Sequence, residues 1–184
     1  MNPIISKNCR IRHPEHLSVG EYSIIDDYCY FSTKVRVGKC SHISSNCSIA
    51  GGKDRLFVLG DYCSVSAGVR IWCTSDDFVN DIVAIIPEYI GKIKNHLITG
   101  DVIMGNFTAV GSNSVIMPNN TIPEGVVIGA LSFVPPNFEF KPWAVYAGIP
   151  IKFIKYRNKE NVMKQFEELE NQISHSSQSK GDNK

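Results

Sequence analysis

The segment IWCTSDDF, residues 71–78, carries two adjacent carboxylates, Asp76 and Asp77, where a regular stretch of sequence gives way to an irregular one. Neighbouring carboxylates on a loop can hold an ammonium group or accept hydrogen bonds from several hydroxyl groups. A hydroxyl is a poor nucleophile near neutral pH, and a positioned base speeds its reaction roughly a hundred- to ten-thousand-fold. An aspartate in water, with a pKa of about 4, is a weak base. An amine needs mainly orientation and a place for its proton, so these residues favour an amine as the reacting group.

Two histidines are further candidates for proton transfer or substrate binding. His42 lies in SHISSN beside Ser41, Ser44 and Ser45, a setting typical of an outward-facing side chain. It is either an ordinary surface or subunit-contact histidine, or a base or substrate ligand. His96, in KNHLITGDV, lies near the end of the irregular stretch, and we take it as a candidate for contact with substrate.

A six-residue repeat flanks the irregular stretch and must position these residues. From residue 17 the chain divides into pieces such as LSVGEY, SIIDDY and FVLGDY, with four extra residues at 53–56. The first residue of a piece is often small or β-branched, and the fourth is often glycine. The third residue is apolar in all sixteen pieces, namely Val19, Ile25, Phe31, Val37, Ile43, Ile49, Leu59, Val65, Ile71, Met104, Val110, Ile116, Ile122, Ile128, Val134 and Phe140.

This period predicts a stack of short strands and turns. A helix with 3.6 residues per turn does not place every sixth residue on one face. A short strand followed by a turn does, because the third residue then points into a prism, the first fits a tight corner and glycine tolerates the turn conformation. Three pieces close one triangular coil, and stacked coils share one core.

The repeat resembles that of the hexapeptide-repeat acyltransferase superfamily, over about residues 17–157. The resemblance implies an all-β fold, a left-handed parallel β-helix with a projecting loop at 75–101 and a C-terminal α-helix. The segment KPWAVYAGIPIKFIKYR, 141–157, resembles the signature that ends the prism in sugar acetyltransferases. We predict a lead-in at 1–16, a helix at 158–173 capped by Asn158, and a disordered tail at 174–184.

The resemblance also bears on the acceptor side of a transfer reaction. Members of the maltose- and galactoside-acetyltransferase type carry a histidine at the mouth of the loop, which acts as general base on a sugar hydroxyl. Asp76 falls at the position of that histidine here. TSDDF resembles the GSDDF/GSDDY sequence of a surface-polysaccharide branch, in which a histidine matching His42 precedes an Ile-x-Gly-Gly turn. We therefore expect His42 and Asp76 to be catalytic, and Asp77 and His96 to bind substrate.

On the donor side, the resemblance implies acetyl-CoA. Ser112 and Ala130 are eighteen residues apart, one full coil, and match positions along which the pantetheine arm lies in the family. Lys152 and Lys155 match the family's basic residues that meet the CoA phosphates. The chain departs from the family at 135–136, where two prolines replace a polar pair.

Together these features favour an acetyl-CoA-dependent acetyltransferase that acts on a nucleotide- or lipid-linked sugar of bacterial surface polysaccharide. They favour N-acetylation over O-acetylation. The alternatives are O-acetylation with His42 as base, and a non-catalytic binding prism. A zinc hydratase of the γ-carbonic-anhydrase type needs three convergent histidines and is disfavoured, so we expect no metal. We expect active sites between the subunits of a homotrimer.

We expect a cytoplasmic globular protein, because residues 1–16 lack the apolar core of a secretory signal and no apolar run approaches 18 residues. The 184 residues are 43% hydrophobic and 20% charged, with a formal net charge of +1, which predicts binding to neither nucleic acid nor membrane. The six cysteines include no Cys-x-x-Cys pair and are expected to be small buried side chains.

Overall fold

The computed structural model describes residues 1–80 and 96–178, and side chains up to residue 174. The elements in chain order are β1 (Ile4–Ile5), β2 (Arg10–Ile11), a 3₁₀ turn (Pro14–His16), β3 (Leu17–Val19), β4 (Ile24–Ile25), β5 (Tyr30–Val37), β6 (His42–Ile43), β7 (Ser48–Leu59), β8 (Ser64–Val65), β9 (Arg70–Trp72), β10 (Thr74–Asp76), β11 (Leu97–Thr99), β12 (Val102–Met104), β13 (Ala109–Val110), β14 (Val115–Ile116), β15 (Asn120–Ile122), β16 (Val127–Ile128), β17 (Phe133–Val134), β18 (Ala144–Ala147), β19 (Lys152–Tyr156) and α1 (Lys159–Gln178).

The strands form a parallel solenoid of about six coils, a left-handed β-helix, as predicted. One face of the prism is an eight-stranded sheet, ordered β1-β4-β6-β8-β13-β16-β18-β19. A nine-stranded sheet covers the other two faces, because β5 and β7 run through the corner between them. Most pairs are parallel, and the exceptions are β18 with β19 and β10 with β11.

The predicted core positions fill the interior of the prism. Fourteen of the sixteen third-position side chains are buried, and Val19 and Phe140 are partly buried against them. Ile43, Ile49, Val65, Ile71 and Val134 are wholly enclosed. Full burial of one such side chain contributes about 1.5–3 kcal/mol, so the stack of coils carries much of the stability.

The role predicted for the repeat glycines is wrong in one respect. Left-handed backbone occurs at the sixth position of the repeat, where Tyr62 has φ 56° and Leu131 has φ 54°. The fourth-position glycines are needed for closeness between coils. A Cβ on Gly38 would lie 2.7 Å from the carbonyl carbon of Gly60, and one on Gly60 would lie 2.7 Å from that of Gly105. Any side chain there would force neighbouring coils apart.

The solenoid begins earlier than predicted. In the expected lead-in, β1 pairs with β4 and β2 pairs with β5, so residues 1–16 form two sides of the first coil, and β3 forms the third. Ile11 pairs with Phe31, twenty residues later, whereas Val19 pairs with Val37, eighteen residues later. The turn Pro14–His16 adds the two extra residues, and this shift of phase hides the first coil from a strict six-residue count.

The C-terminal helix is longer than predicted and packs on its own prism. Its predicted cap is confirmed, because Oδ1 of Asn158 accepts the backbone N–H of Asn161 at 3.0 Å. The helix runs to Gln178, so residues 174–178 of the expected tail are helical, and the rest of that tail lies outside the described residues. Phe166 contacts the rings of Tyr62 and Phe107 edge-on, with centroids 5.0 and 5.3 Å away.

The three corners of the prism differ in the residues that they carry. The helix corner contains Tyr62, Phe107 and Trp143, on which α1 lies. The loop corner follows β9 and carries the insertion that starts at residue 75. The third corner, which we name the small-residue corner, is a stack of fifth-position residues: Asp27, Ser45, Ala67, Ser112 and Ala130.

All six cysteines are free thiols. Four of them are buried, as predicted, whereas Cys9 and Cys40 are only partly buried. Burial raises the pKa of the Cys73 thiol to about 12, which makes it unreactive. In the described part of the chain, no helix is long and apolar enough to cross a membrane.

Candidate active site

The small-residue corner brings together the two residues predicted to line the donor site. The N–H of Leu131 bonds to the carbonyl oxygen of Ser112 at 3.0 Å, which stacks Ala130 one coil beyond Ser112. A Cβ on Gly111 would meet the backbone nitrogen of Ala130 at 2.3 Å, so the coils are in close contact here. Ala130 is exposed. Because no long side chain rises between them, an extended ligand has a smooth edge along which to lie.

Lys152 and Lys155 lie on β19, the edge strand of the eight-stranded face. Lys152 pairs with Ala147 and Lys155 with Val145, across an irregularity in the register. Every residue of β19 is exposed. Both ammonium groups therefore stand at the C-terminal end of the prism, on the face that leads to the small-residue corner.

The base of the loop is a two-stranded antiparallel ribbon. Asp76 pairs with Leu97 and Ser75 with Ile98, so the ribbon fixes where the insertion leaves the prism. The N–H of Asp77 bonds to the carbonyl oxygen of His96 at 3.2 Å, which brings these two predicted substrate ligands side by side. The middle of the predicted loop, 81–95, lies outside the described residues.

The carboxylate of Asp77 is engaged within the loop. It accepts the N–H of Val79 at 3.0 Å and the side-chain amide of Asn80 at 2.6 Å. These hydrogen bonds, with that of Asn80 foremost, lower the pKa of Asp77 below its usual value. The same bonds form an Asx turn, which orders the chain just after Asp76.

His42 faces outward, as predicted, and it has a partner that the sequence did not reveal. Its Nε2 lies 2.8 Å from Oδ2 of Asp26, and the two side chains are 44% and 40% exposed. The pair stands on the eight-stranded face, where His42 lies between Ile24 of β4 and Ser64 of β8. Asp26 holds the fourth position of its repeat, where glycine is frequent, and this departure is the signal that could have revealed it.

The predicted residues fall on separate parts of one chain. Ser112, Ala130 and His42 lie on the eight-stranded face or its small-residue corner. Asp76, Asp77 and His96 lie at the loop corner, one face away. The two groups therefore lie at different corners of the prism.

No metal site emerges from the described residues, since no group of three or more histidine, cysteine, aspartate or glutamate side chains among them could hold an ion.

Comparison with known proteins decides the family. A dTDP-4-amino-4,6-dideoxy-D-glucose acyltransferase of Escherichia coli is 30% identical over 152 residues, which cover 79% of this chain and 74% of that protein. The chain belongs to the hexapeptide-repeat acyltransferases. It is therefore an acyltransferase. A chloramphenicol acetyltransferase of Agrobacterium fabrum is 28% identical over 168 residues, 83% of this chain and 73% of that one.

Solved structures agree with this membership of the hexapeptide-repeat acyltransferases. A variant of AntD, an N-acyltransferase from Bacillus cereus in complex with dTDP-4-amino-4,6-dideoxyglucose and coenzyme A, superposes with a TM-score of 0.82. It is 31% identical, and the match covers 92% of this chain and 88% of AntD. No family model matches the sequence.

Proposed function

We propose that this acyltransferase moves an acyl group from coenzyme A to the amino group of a sugar carried by a nucleoside diphosphate. The observation that carries the proposal is the near full-length likeness to an N-acyltransferase bound to an amino-sugar nucleotide and coenzyme A. The chain keeps the structural parts that such a reaction requires. These are an edge of small residues, two cations at its C-terminal end and a loop that begins with Asp76.

The donor lies along the small-residue corner in this proposal. Lys152 and Lys155 bind the CoA phosphates as point charges, and the pantetheine arm extends past Ala130 and Ser112 toward the N-terminal coils. Backbone amides along the corner supply the hydrogen bonds, and one near the thioester carbonyl stabilises the oxyanion of the transition state.

The acceptor amine needs orientation more than it needs a strong base. Asp76 stands where related O-acetyltransferases carry a histidine, and its carboxylate would hold an ammonium group beside the thioester. After loss of one proton to water, the amine attacks the carbonyl carbon and the carbon–nitrogen bond forms. The carbon–sulfur bond breaks, and the departing thiolate of coenzyme A takes up the second proton that the nitrogen loses.

A homotrimer completes the site in this proposal. Because the loop corner and the small-residue corner lie on different edges of one prism, Asp76 of one subunit faces Ala130 of the next. Cyclic association of three identical prisms repeats that contact three times. We place the reaction in the cytoplasm, and its product among the precursors of surface polysaccharide.

The test of the reaction is release of free thiol from acetyl-CoA. Purified protein is incubated with a panel of amino-sugar nucleotides and matched hydroxyl-sugar nucleotides. We expect thiol release with one or more amino sugars. Release with hydroxyl sugars alone would favour the second candidate, which is O-acylation with His42 as base. The exposure of the His42 imidazole supports that candidate. No release with any acceptor, together with no binding of coenzyme A, would favour a non-catalytic prism.

The test of the shared site is complementation between two inactive variants. Asp76→Asn removes the loop carboxylate, and Ala130→Leu blocks the donor edge. When equal amounts of the two chains are unfolded together and refolded, each mixed trimer has one site with an intact loop and an intact corner, which is about a quarter of all sites. We expect that share of activity to return. No recovery, with trimers formed, would place each site within one chain.

A further inference from the structure

Two cations without an ionic partner lie side by side next to the loop corner. Lys34 and Arg36 both point outward from β5, because Val35 between them is buried and successive side chains of a strand alternate. Among the described residues, neither side chain takes part in an ion pair or a side-chain hydrogen bond. Like charges on neighbouring outward positions repel each other, and a bound anion relieves that repulsion.

The two cations belong to a cavity of about 190 Å³, which is lined by Glu15, His16, Leu17, Ser18, Lys34 and Arg36. Ser18 pairs with Arg36 across neighbouring strands, which places its hydroxyl beside the guanidinium group. The carboxylate of Glu15 lies 3.6 Å from Nδ1 of His13 and 3.8 Å from Nε2 of His16, so its partners are these imidazoles. The cavity therefore offers an anion two cations and a hydroxyl donor.

The size and charge of the cavity suit a diphosphate group. Pockets that enclose a whole drug-sized ligand measure about 300–1,000 Å³, so this cavity holds only a part of such a ligand. Arginine binds two phosphate oxygens at once, and lysine adds a mobile point charge. The next coil adds Lys53 and Arg55, with Asp54 between them, and the hydroxyl of Thr33 donates to the carbonyl oxygen of Arg55 at 2.6 Å. Cations therefore outnumber carboxylates around the cavity.

The cavity lies two strand spacings from the base of the loop. Lys34 pairs with Leu56 of the next coil, and the N–H of Leu56 donates to Asp101, where the insertion ends, at 3.0 Å. Two spacings are about 10 Å. In a sugar nucleotide, an amino group across the ring from the anomeric carbon lies roughly 7–10 Å from the two phosphorus atoms. An amine held at Asp76 thus leaves the diphosphate within reach of the long side chains of Lys34 and Arg36.

We propose that this cavity binds the diphosphate of the nucleotide that carries the acceptor sugar, with Arg36 and Lys34 as the cations and Ser18 as the hydroxyl donor. The inference rests on the proposed function, in which the acceptor is a sugar nucleotide. The phosphates of coenzyme A are not the occupant, because the lysines of β19 lie at the C-terminal end of the prism and the cavity lies between its first two coils. The bound diphosphate holds the sugar so that its amino group stays at Asp76.

The test is the binding of dTDP, UDP, GDP and the matching nucleosides to the wild type, Lys34→Gln and Arg36→Gln, measured by isothermal titration. For the nucleoside diphosphate that the wild type binds, we expect the Kd to rise at least about tenfold in each variant, and more at low salt than at high salt. Arg36→Lys should keep part of the affinity. The nucleoside, which lacks phosphates, and coenzyme A should bind all the proteins alike. In turnover of an amino-sugar nucleotide, KM for the acceptor rises and kcat changes little, because the cations do not touch the reacting atoms.

Lys164→Gln is the matched control, an exposed lysine on α1, and we expect wild-type binding of the nucleoside diphosphate. If Lys34→Gln and Arg36→Gln bind the nucleoside diphosphate as tightly as the wild type, while the wild type acylates an amino-sugar nucleotide, the cavity is not the diphosphate site and the proposed function stands. Weaker binding of coenzyme A with unchanged binding of the nucleoside diphosphate would assign the cavity to the donor and overturn the inference. If the wild type binds no nucleoside diphosphate and acylates no sugar nucleotide, the proposed function falls and this inference falls with it.

Discussion

The hydroxyl of Tyr62 donates a hydrogen bond to Glu170, 108 residues further along the chain. Tyr62 sits at the helix corner of the third coil, and Glu170 lies in the second half of α1. Lys39 adds a contact of 3.3 Å to the same carboxylate. A helix that begins after the last coil is thus fastened to the early coils, and it spans the prism as a strap.

The first prediction concerns the pH dependence of this strap. The bond from Tyr62, followed by Lys39, lowers the pKa of Glu170 below its ordinary value of 4.5. A lowered pKa means that the contribution is fully present above about pH 4.5 and is lost as pH falls through the lowered value. We expect amide exchange in residues 159–178 to quicken selectively at acidic pH. Glu170→Gln should show fast exchange already at neutral pH, and Glu168→Gln, on the same helix, should behave as the wild type. Equal exchange in all three proteins would contradict the role of the carboxylate.

The second prediction concerns the spacing of the coils. A Cβ on Gly60 would lie 2.6 Å from Oδ1 of Asn106 and 2.7 Å from the next coil's backbone, so Gly60→Ala must separate the third and fourth coils. We expect a loss of about 3 kcal/mol in the free energy of unfolding. Gly52→Ala is the control. It has left-handed backbone but nothing within 4 Å, and about 1 kcal/mol is expected. Denaturant titration measures both, and equal losses would show that backbone conformation, not closeness, matters.

The core positions could be predicted from the sequence because one residue in every six points inward. That period is visible without knowing which residues are in contact. Ile43 and Ile128 could be placed inside from spacing alone. The first coil was not predicted because the turn Pro14–His16 shifts the phase of the six-residue repeat by two residues. The hydrogen bond between Asp26 and His42 was not predicted for another reason. It joins neighbouring coils, and pairing between coils follows from the three-dimensional stack.

The third prediction concerns the donor edge. Ala130→Leu places a branched side chain on the small-residue corner, where the pantetheine arm is expected to pass. We expect the Kd for coenzyme A to rise at least about tenfold, because a loss of about 1.4 kcal/mol in binding free energy is enough for that change. Thr121→Leu, also exposed but on another face, should leave the Kd unchanged. Isothermal titration gives both values. An unchanged Kd in Ala130→Leu would move the donor away from this corner.

The fourth prediction concerns the two lysines of β19. In the double variant Lys152→Ala, Lys155→Ala, we expect weaker binding of coenzyme A at low salt and a smaller difference from the wild type at high salt, because exposed charges are screened. Binding of pantetheine, which lacks the nucleotide phosphates, should not change. Lys164→Ala is the control, an exposed lysine on α1. If the double variant weakened pantetheine and coenzyme A alike, the lysines would act through the shape of β19 and not through charge.

The last prediction separates the two loop carboxylates. Asp76 is fixed by its backbone pairing with Leu97, whereas the carboxylate of Asp77 closes the Asx turn through Val79 and Asn80. Asp76→Asn should therefore lower kcat by about a hundredfold without a change in stability. Asp77→Asn keeps an oxygen that can accept the turn's hydrogen bonds and should raise the acceptor KM only a few-fold. Asp77→Ala opens the turn and should raise that KM further.

Steady-state kinetics with one amino-sugar nucleotide distinguishes these effects, because a lost reaction partner lowers kcat and a loosened loop raises KM. If Asp77→Asn lowered kcat as strongly as Asp76→Asn, both carboxylates would touch the acceptor, and the Asx turn would have to open when substrate binds. If neither variant changed kcat, the loop would only hold neighbouring subunits together, and the acceptor amine would depend on residues of the eight-stranded face.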